Sequence, residues 1–442
     1  MGIYDAGEVF LRRLSWSKVW KLPKREDDVK VTAIVWRPDS EVLAIGYSSG
    51  HIVLVDVESG ETFHTFNPCA KSITCLSWEN NNLTDSEETI DYLLPKLLPL
   101  PQKLNAMKME TGTGTDSEKL IKHEKNFSLL WIGLENGKVY GYAFGMFPSC
   151  VLHLSELTGG NETIGPVRHI RPSYNHSQLT VLADLCGRCE MLLMSVETPL
   201  VGHCLKELYI LGVLYRQISG LINCLTNAQK TLHEAWEDAL VDLESKMVRY
   251  ESNEGESSLS VDLMELLMFG HAGIKLERFL VTELTDKGLK RIGQAVELSY
   301  SNMQKLLVKH IMCANYQLSH YLTQLCGLVK QEDQFSSLGL ELNCCLAAYR
   351  AAGSFTAKTI ELQQVIDGSV KYLKTFFRWL YVTILRLSDE PIPPELGSST
   401  QQDVRFIANF LAKDFETDGQ VRLDRIGKFS RILICLTPFC RV

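Results

Sequence analysis

Two cysteines with a short spacing are the first candidates for chemistry in this chain. Cys186 and Cys189 form a C-x-x-C pair, which is the spacing of half a tetrahedral zinc site or of a redox dithiol. A zinc site needs a second Cys or His pair, and no such pair follows at comparable spacing. A redox dithiol begins a helix, whereas this pair lies in a predicted strand hairpin. Two ordinary thiols are therefore the favoured interpretation.

Other catalytic motifs are incomplete. His233 and Glu234 open an H-E-x-x-H motif, but Glu237 stands where the second histidine would be. The sequence contains no G-x-S-x-G, no Walker loop and no G-x-G-x-x-G that opens a helix. Cys344 and Cys345 are adjacent in a predicted helix, where packing is the simpler role. The sequence predicts no catalytic, cofactor-binding or metal-binding residue, and no enzyme.

Composition limits the classes of partner. The 442 residues suffice for two or three domains, and the net charge of −8 does not fit a nucleic-acid footprint or an anionic membrane surface. The most apolar helical segment, 376–387, carries Arg378 and Arg386. The N-terminus lacks a signal-peptide pattern, and the thirteen cysteines are expected to be reduced in an intracellular protein. We expect no nucleic acid, membrane or small-molecule partner.

The hydrophobic pattern changes near residue 200, from the period of strands to that of helices. Before that point the clearest unit has four short strands, VTAIVW (31–36), EVLAIGYS (41–48), HIVLVDVES (51–59) and ETFHTF (61–66). Four strands in about 40 residues are the size of a propeller blade.

The unit recurs along the first half. A second copy combines 72–78 with 128–145, a weaker third copy begins at Val167 and ends at 197, and 7–14 resembles one strand of a preceding blade. The prediction for residues 1–200 is an incomplete WD-repeat β-propeller of about three blades. An antiparallel sandwich is the alternative.

A polar and proline-rich insertion at 79–126 interrupts the second copy. Its apolar segment 93–102 contains Leu97 and Leu98, which either dock a partner or pack on their own blade. Residues 103–124 have few apolar anchors and are predicted to be mobile.

The second half predicts long helices at about 201–250, 286–329 and 340–388, and a shorter helix at 261–273. Spacings of three and four require each apolar face to be buried on a neighbour, so 201–390 is predicted to form a long antiparallel α-helical bundle. Residues 391–442 are predicted to hold short helices and a divergent tail.

Aromatic residues crowd the last long helix. Tyr372, Phe376, Phe377, Trp379 and Tyr381 cover more than one helix face. Core packing is favoured for most of them, and a partner interface is the alternative for part of them. Trp379, Tyr381 and Phe376 are therefore candidate interface residues, together with Leu97 and Leu98.

Particular segments carry a family resemblance. The tryptophans and the G-x-I/V-x-L/V-x-D pattern at Gly50–Asp56 resemble WD repeats. Several longer segments, in their order, resemble the anaphase-promoting complex subunit 4 family: LLPKLLPLP (93–101), GKVYGYAFGMF (137–147), HEAWEDAL (233–240), LTDKGLKRIGQAVELSYSNMQKL (284–306), LQQVIDGSVK (362–371) and FFRWLYV (376–382).

The resemblance implies a non-catalytic scaffold subunit of a large ubiquitin ligase of the mitotic cell cycle. It implies other subunits of the anaphase-promoting complex as partners, such as subunits 1 and 5, and localisation to the nucleus and cytoplasm. It also implies a bundle inserted within the propeller, with further blades after it. Because MGIYDA (1–6) and RILICLTPFCRV (431–442) depart from the family, a truncated or alternatively spliced form is expected. A membrane-coat or tethering scaffold is the alternative function.

Overall fold

The computed structural model describes most of the chain: residues 2–3, 8–13, 17–24, 29–81, 127–158, 164–186, 190–252, 259–331, 335, 338–394, 400–413, 416–417 and 420–421. The chain divides into two compact units. Unit 1 comprises Met1–Gly220 with Thr323–Leu342, and unit 2 comprises Leu221–Leu322 with Asn343–Val442.

The described residues of unit 1 form four successive antiparallel sheets, and the strands of each sheet are paired in chain order. Sheet 1 holds β1 (Gly2–Ile3), β2 (Val9–Arg12) and β3 (Lys18–Leu22). Sheet 2 holds β4 (Val31–Trp36), β5 (Val42–Tyr47), β6 (Ile52–Asp56) and β7 (Thr62–Phe66). Sheet 3 holds β8 (Ile73–Asn81), β9 (Phe127–Leu134), β10 (Lys138–Ala143) and β11 (Phe147–His153). Sheet 4 holds β12 (Ile164–Pro172), β13 (Gln178–Leu185) and β14 (Met191–Glu197).

The predicted order of propeller blades followed by helices is confirmed, and two details differ. Sheet 1 has three strands where the sequence predicted a single strand. Its strand β3 was missed because lysines flank Trp20 in KVWKL, so the apolar alternation is too short to recognise. Strand β11 was also missed, because Pro148 stands in it; proline is tolerated there because β11 lies at the edge of its sheet.

The two central sheets are buried on both faces. Along β5 the side chains of Leu43 and Ile45 pack toward sheet 1, whereas those of Val42 and Ala44 pack toward sheet 3. Successive residues of a strand point to opposite faces, so a strand between two sheets must be apolar at every position. In a two-layer sandwich each sheet has one side that faces solvent. Sheet 2 is instead covered on both sides, by sheets 1 and 3, so the sandwich alternative is wrong.

The aspartate of the WD-like pattern has a local structural role. Asp56 is 9% exposed and accepts hydrogen bonds from the backbone N–H of Glu58 at 3.1 Å and of Ser59 at 3.2 Å. The hydroxyl of Ser59 donates to the same carboxylate at 2.7 Å. These bonds close the turn between β6 and β7. Turn formation therefore explains the aspartate of the WD-like pattern.

The described helices follow the predicted series. They are α1 (Leu154–Leu157), α2 (Pro199–His203), α3 (Leu205–Ser252), α4 (Leu259–Phe269), α5 (Ile274–Arg278), α6 (Asp286–Leu306), α7 (Cys313–Val329), α8 (Leu342–Leu387) and α9 (Gln401–Lys413). Two π-helical turns, Phe279–Leu284 and Leu307–Met312, precede α6 and α7, and a two-stranded hairpin of β15 (Glu416–Thr417) and β16 (Gln420–Val421) follows α9.

Helices α6 and α8 of unit 2 run antiparallel. Lys374 of α8 pairs with Glu297 at 2.6 Å, and Asp367 accepts a hydrogen bond from Gln304 at 2.6 Å. Residue numbers rise along α6 while those of their partners fall along α8, as expected for an antiparallel pair. The face of α6 that this packing buries is the predicted stripe of Leu289, Ile292, Val296, Tyr300 and Met303.

One described helical stretch, Leu205–Glu237 of α3, is long and apolar enough to cross a membrane. Length and composition are the only support for such a role, and a helix in the core of a folded domain satisfies them equally. Leu205 and Leu208 pack in the core that sheets 3 and 4 share.

Candidate functional site

The aromatic end of α8 contains the interface candidates, and the structure separates them by burial. Phe376 is fully buried, and its ring centroid lies 5.3 Å from that of Phe410 on α9. Phe376 is thus a core residue of unit 2 and is not exposed as a surface anchor. Its position ties α9 to α8 within unit 2.

Trp379 lies one turn further along α8 and is half-buried. Its side chain lines an open groove of about 370 Å³ between α4, α8 and α9, together with Leu266, Val382 and Ile407. The indole contacts the core on one side, where its ring centroid is 6.0 Å from that of Phe376. We call this feature the Trp379 groove. Its floor is apolar and accessible from solvent.

Three cations of α8 lie along the Trp379 groove. Lys374, Arg378 and Arg386 all line it, and all three are exposed. Lys374 already pairs with Glu297, which lies outside the groove. Arg386 forms no ion pair with any residue that the structure describes. The groove therefore has a basic rim along α8.

The lining residues include a single carboxylate, that of Asp403. It accepts hydrogen bonds from the backbone N–H of Thr400 at 3.0 Å and from its hydroxyl at 2.8 Å. The Thr400 hydroxyl in return accepts from the N–H of Asp403 at 3.2 Å, which forms a capping box at the start of α9. These bonds, and to a smaller extent Arg378, hold the pKa of Asp403 below its usual value. Asp403 is thus already engaged in capping α9.

Tyr381 does not line the Trp379 groove. It is half-buried, and the ammonium group of Lys290 lies 4.7 Å from the centroid of its ring. A hydrogen bond to Tyr381 and Coulombic attraction to it raise the pKa of Lys290. Tyr381 therefore joins α6 to α8, and the structure does not bring it together with Trp379 in one site.

The remaining sequence candidates give no second site. Leu97 and Leu98, the segment 103–124 and Cys189 all lie outside the described residues. Within the described ranges, no group of three or more His, Cys, Asp or Glu side chains could hold a metal ion.

Burial controls the chemistry of the thiols in sheet 3. It raises the pKa of Cys75 and of Cys150 to about 12. Because the thiolate is the nucleophile and the metal ligand, these two cysteines remain protonated at neutral pH. They serve the packing of sheet 3.

Of the groove residues, sequence reasoning singled out only Trp379 as an interface candidate. It noted Arg378 and Arg386 only as charges within an apolar segment, and it missed the exposed Met268 and Phe269 on α4. A signal was present, because lining positions recur every four residues from Lys374 to Arg386, which marks one helix face. The wall from α9 carries no comparable signal, since its position depends on tertiary packing.

Comparison with known families adds an independent finding. The family model described as "Anaphase-promoting complex subunit 4 WD40 domain" matches residues 3–81, in sheets 1 to 3. The model described as "Anaphase-promoting complex, cyclosome, subunit 4" matches residues 192–390, from β14 to the end of α8 and just beyond. The first match lies within the blades, and the second covers the helices from α2 to α8.

Individual relatives agree. The chain is 33% identical to human anaphase-promoting complex subunit 4, over 97% of this chain and 54% of the human protein. The mouse protein of the same name is also 33% identical, over 96% of this chain and 53% of the mouse protein. The protein of that name from Dictyostelium discoideum is 25% identical, over 51% of this chain and 27% of its own length. The chain spans about half the length of the mammalian relatives.

A solved structure, titled "Crystal Structure of Mitotic Checkpoint Complex", resembles the chain only weakly. The TM-score is 0.27 at 13% identity, over 43% of this chain and 42% of the other, and it supports no inference. The family models and the relatives match the blades and the helices in the order in which the structure has them. This chain belongs to the anaphase-promoting complex subunit 4 family.

Proposed function

We propose that this chain is a non-catalytic scaffold subunit of the anaphase-promoting complex, a multisubunit ubiquitin ligase that controls mitotic progression. The observation that carries the proposal is the 33% identity over 97% of the chain to human anaphase-promoting complex subunit 4. The partners would be other subunits of that complex, such as subunits 1 and 5. Localisation to the nucleus and cytoplasm belongs to the same proposal.

The chemistry of the described residues supports a scaffold role. The two thiols of sheet 3 whose pKa burial raises are poor acceptors for ubiquitin. The Trp379 groove combines an apolar floor with cations and lacks a paired nucleophile and base among its lining residues. Such a surface is suited to binding a protein.

Affinity purification tests the proposal. A tagged full-length chain, expressed in dividing cells, should recover the subunits of the anaphase-promoting complex in constant proportion, as measured by quantitative mass spectrometry. Recovery of coat or tethering subunits, or of no large complex, would overturn the proposal and favour the alternative scaffold.

A second assay tests the non-catalytic part. The purified chain, incubated with ubiquitin, an activating enzyme and a conjugating enzyme, should form no thioester. Elemental analysis should find less than one zinc ion per chain. A trapped thioester on any cysteine contradicts the absence of catalysis, and stoichiometric zinc contradicts the absence of a metal site. Both results leave membership of the complex intact.

A further inference from the structure

We propose that the Trp379 groove binds an acidic segment of another subunit of the complex, which inserts apolar side chains beside Trp379 and places carboxylates against Arg378 and Arg386. This inference rests on the proposed function and names the partner chemistry of one surface. Three observations carry it: the shape of the groove, the exposed apolar side chains at its α4 side, and its charge.

The groove is long and open. Its α8 wall extends from Lys374 to Leu387, which is about 20 Å of helix at 1.5 Å per residue. An enclosed cavity suits a small molecule. A solvent-open trough of this length matches instead a short peptide segment laid along α8, in the manner of a helix bound in a groove.

The segment that forms the α4 wall also carries exposed apolar side chains that do not line the groove. Leu267 and Gly270 line the groove, and the two residues between them, Met268 and Phe269, are 69% and 76% exposed. Exposed apolar patches are typical of protein-binding sites. The apolar surface offers anchoring positions for a partner.

Charge selects the kind of segment. The whole chain carries a net charge of −8, yet the groove lining has three cations and one carboxylate, and that carboxylate caps α9. The net charge of the chain gives an acidic segment no general attraction, whereas the excess of cations in the groove lining would steer it to this site. Arginine is suited to this contact because its planar guanidinium can bind a carboxylate through two parallel hydrogen bonds.

Site-specific photo-crosslinking tests the inference in the assembled complex. The tagged full-length chain, with p-benzoylphenylalanine in place of Phe269, is purified with its partners and irradiated, and the crosslinked peptide is sequenced by mass spectrometry. The expected product is a segment of another subunit with net negative charge and at least two large apolar side chains.

Charge reversal supplies the second measurement. Arg378→Glu combined with Arg386→Glu should lower the crosslink yield by at least about tenfold. Both side chains are exposed, so the melting temperature should stay close to that of the parent chain, which is measured for each variant. The matched control is Arg350→Glu, which reverses an exposed arginine of α8 outside the groove lining and should change the yield less than twofold.

The outcomes separate the two proposals. If the complex co-purifies but the crosslink joins Phe269 to this same chain, or to a neutral or basic segment, the groove inference is overturned and the scaffold function stands. The same holds if no crosslink forms or if the yield survives charge reversal. If no other subunit of the complex co-purifies, both proposals fail.

Discussion

Asn315 on α7 donates a hydrogen bond from its side-chain amide to the backbone carbonyl of Ala352 on α8, at 3.1 Å. The same amide donates to the hydroxyl of Thr356 at 2.6 Å. Asn315 is only 2% exposed, so its side chain lies in the interior of unit 2, and its bond to Thr356 is partly buried. A buried polar residue with specific partners fixes the register of two helices, because a slip by one position leaves its amide unpaired.

Replacing Asn315 with alanine tests this role. Asn315→Ala removes both interhelical hydrogen bonds and is expected to lower the free energy of unfolding of unit 2 by about 1–3 kcal/mol. Chemical denaturation followed by circular dichroism measures the loss. The control is Tyr316→Ala at the next position, which is 55% exposed and should change stability by less than about 0.5 kcal/mol. Equal effects at both positions would contradict a register role.

The aromatic residues of α8 should differ in their contribution to stability. Phe376→Ala removes a fully buried ring and is expected to cost about 3–5 kcal/mol. Trp379→Ala removes a half-buried ring from a groove wall and should cost less, about 1–3 kcal/mol. The denaturant midpoints of the two variants, compared at the same dependence of unfolding free energy on denaturant, show which substitution costs more stability. A larger loss at Trp379 would place it in the core and remove it from the groove.

Glycine at position 133 permits the approach of sheets 3 and 4. A Cβ atom at Gly133 would lie 2.5 Å from the sulfur of Cys75 and 2.9 Å from Val167. Gly133→Ala is therefore expected to overpack unit 1 and cost about 1–3 kcal/mol.

The control for this variant is Gly353→Ala in the interior of α8, where nothing lies within 4 Å of the added Cβ. It should stabilise the protein by about 0.5–1 kcal/mol, because alanine is the better helix former. Thermal melting should show a lower melting temperature for Gly133→Ala and a higher one for Gly353→Ala. A Gly133→Ala protein that melts like the parent would show that sheets 3 and 4 are not closely packed at this position.

The stability of unit 1 should depend on pH through His176. Its ring is 1% exposed, and burial lowers its pKa to about 4 from a usual value near 6.5. Between those values the unfolded chain binds a proton that the folded chain does not, so stability falls as the pH is lowered from 6.5 to 4. His176→Asn should flatten this dependence, since asparagine cannot titrate and tolerates the positive φ of 53°.

The control is His203→Asn, which replaces an exposed histidine of the same unit. Melting temperatures are recorded between pH 7 and pH 4 for the parent and both variants. The same pH dependence in His176→Asn as in the parent would assign the acid sensitivity to another group.

The sequence predicted the order of blades and helices because that order depends on local periodicity. The four strands of 31–66 alternate with residues that favour turns, and each appears in the structure within three residues of its predicted bounds. The long helices were predicted for the same reason, since the stripe along α6 repeats at helical spacing. The weakly patterned strands β3 and β11 were missed because short or proline-containing strands lack that signal.

The sequence alone determined that α8 is aromatic and that the chain offers no complete catalytic motif. Only the tertiary structure decided what each aromatic side chain does. Phe376 and Trp379 are three residues apart on one helix, yet one is covered by Phe410 and the other lines a groove. The physical reason is that burial is decided by the neighbour that packs on each face. That neighbour, α9, lies more than twenty residues further along the chain, where the local pattern of α8 cannot specify its position.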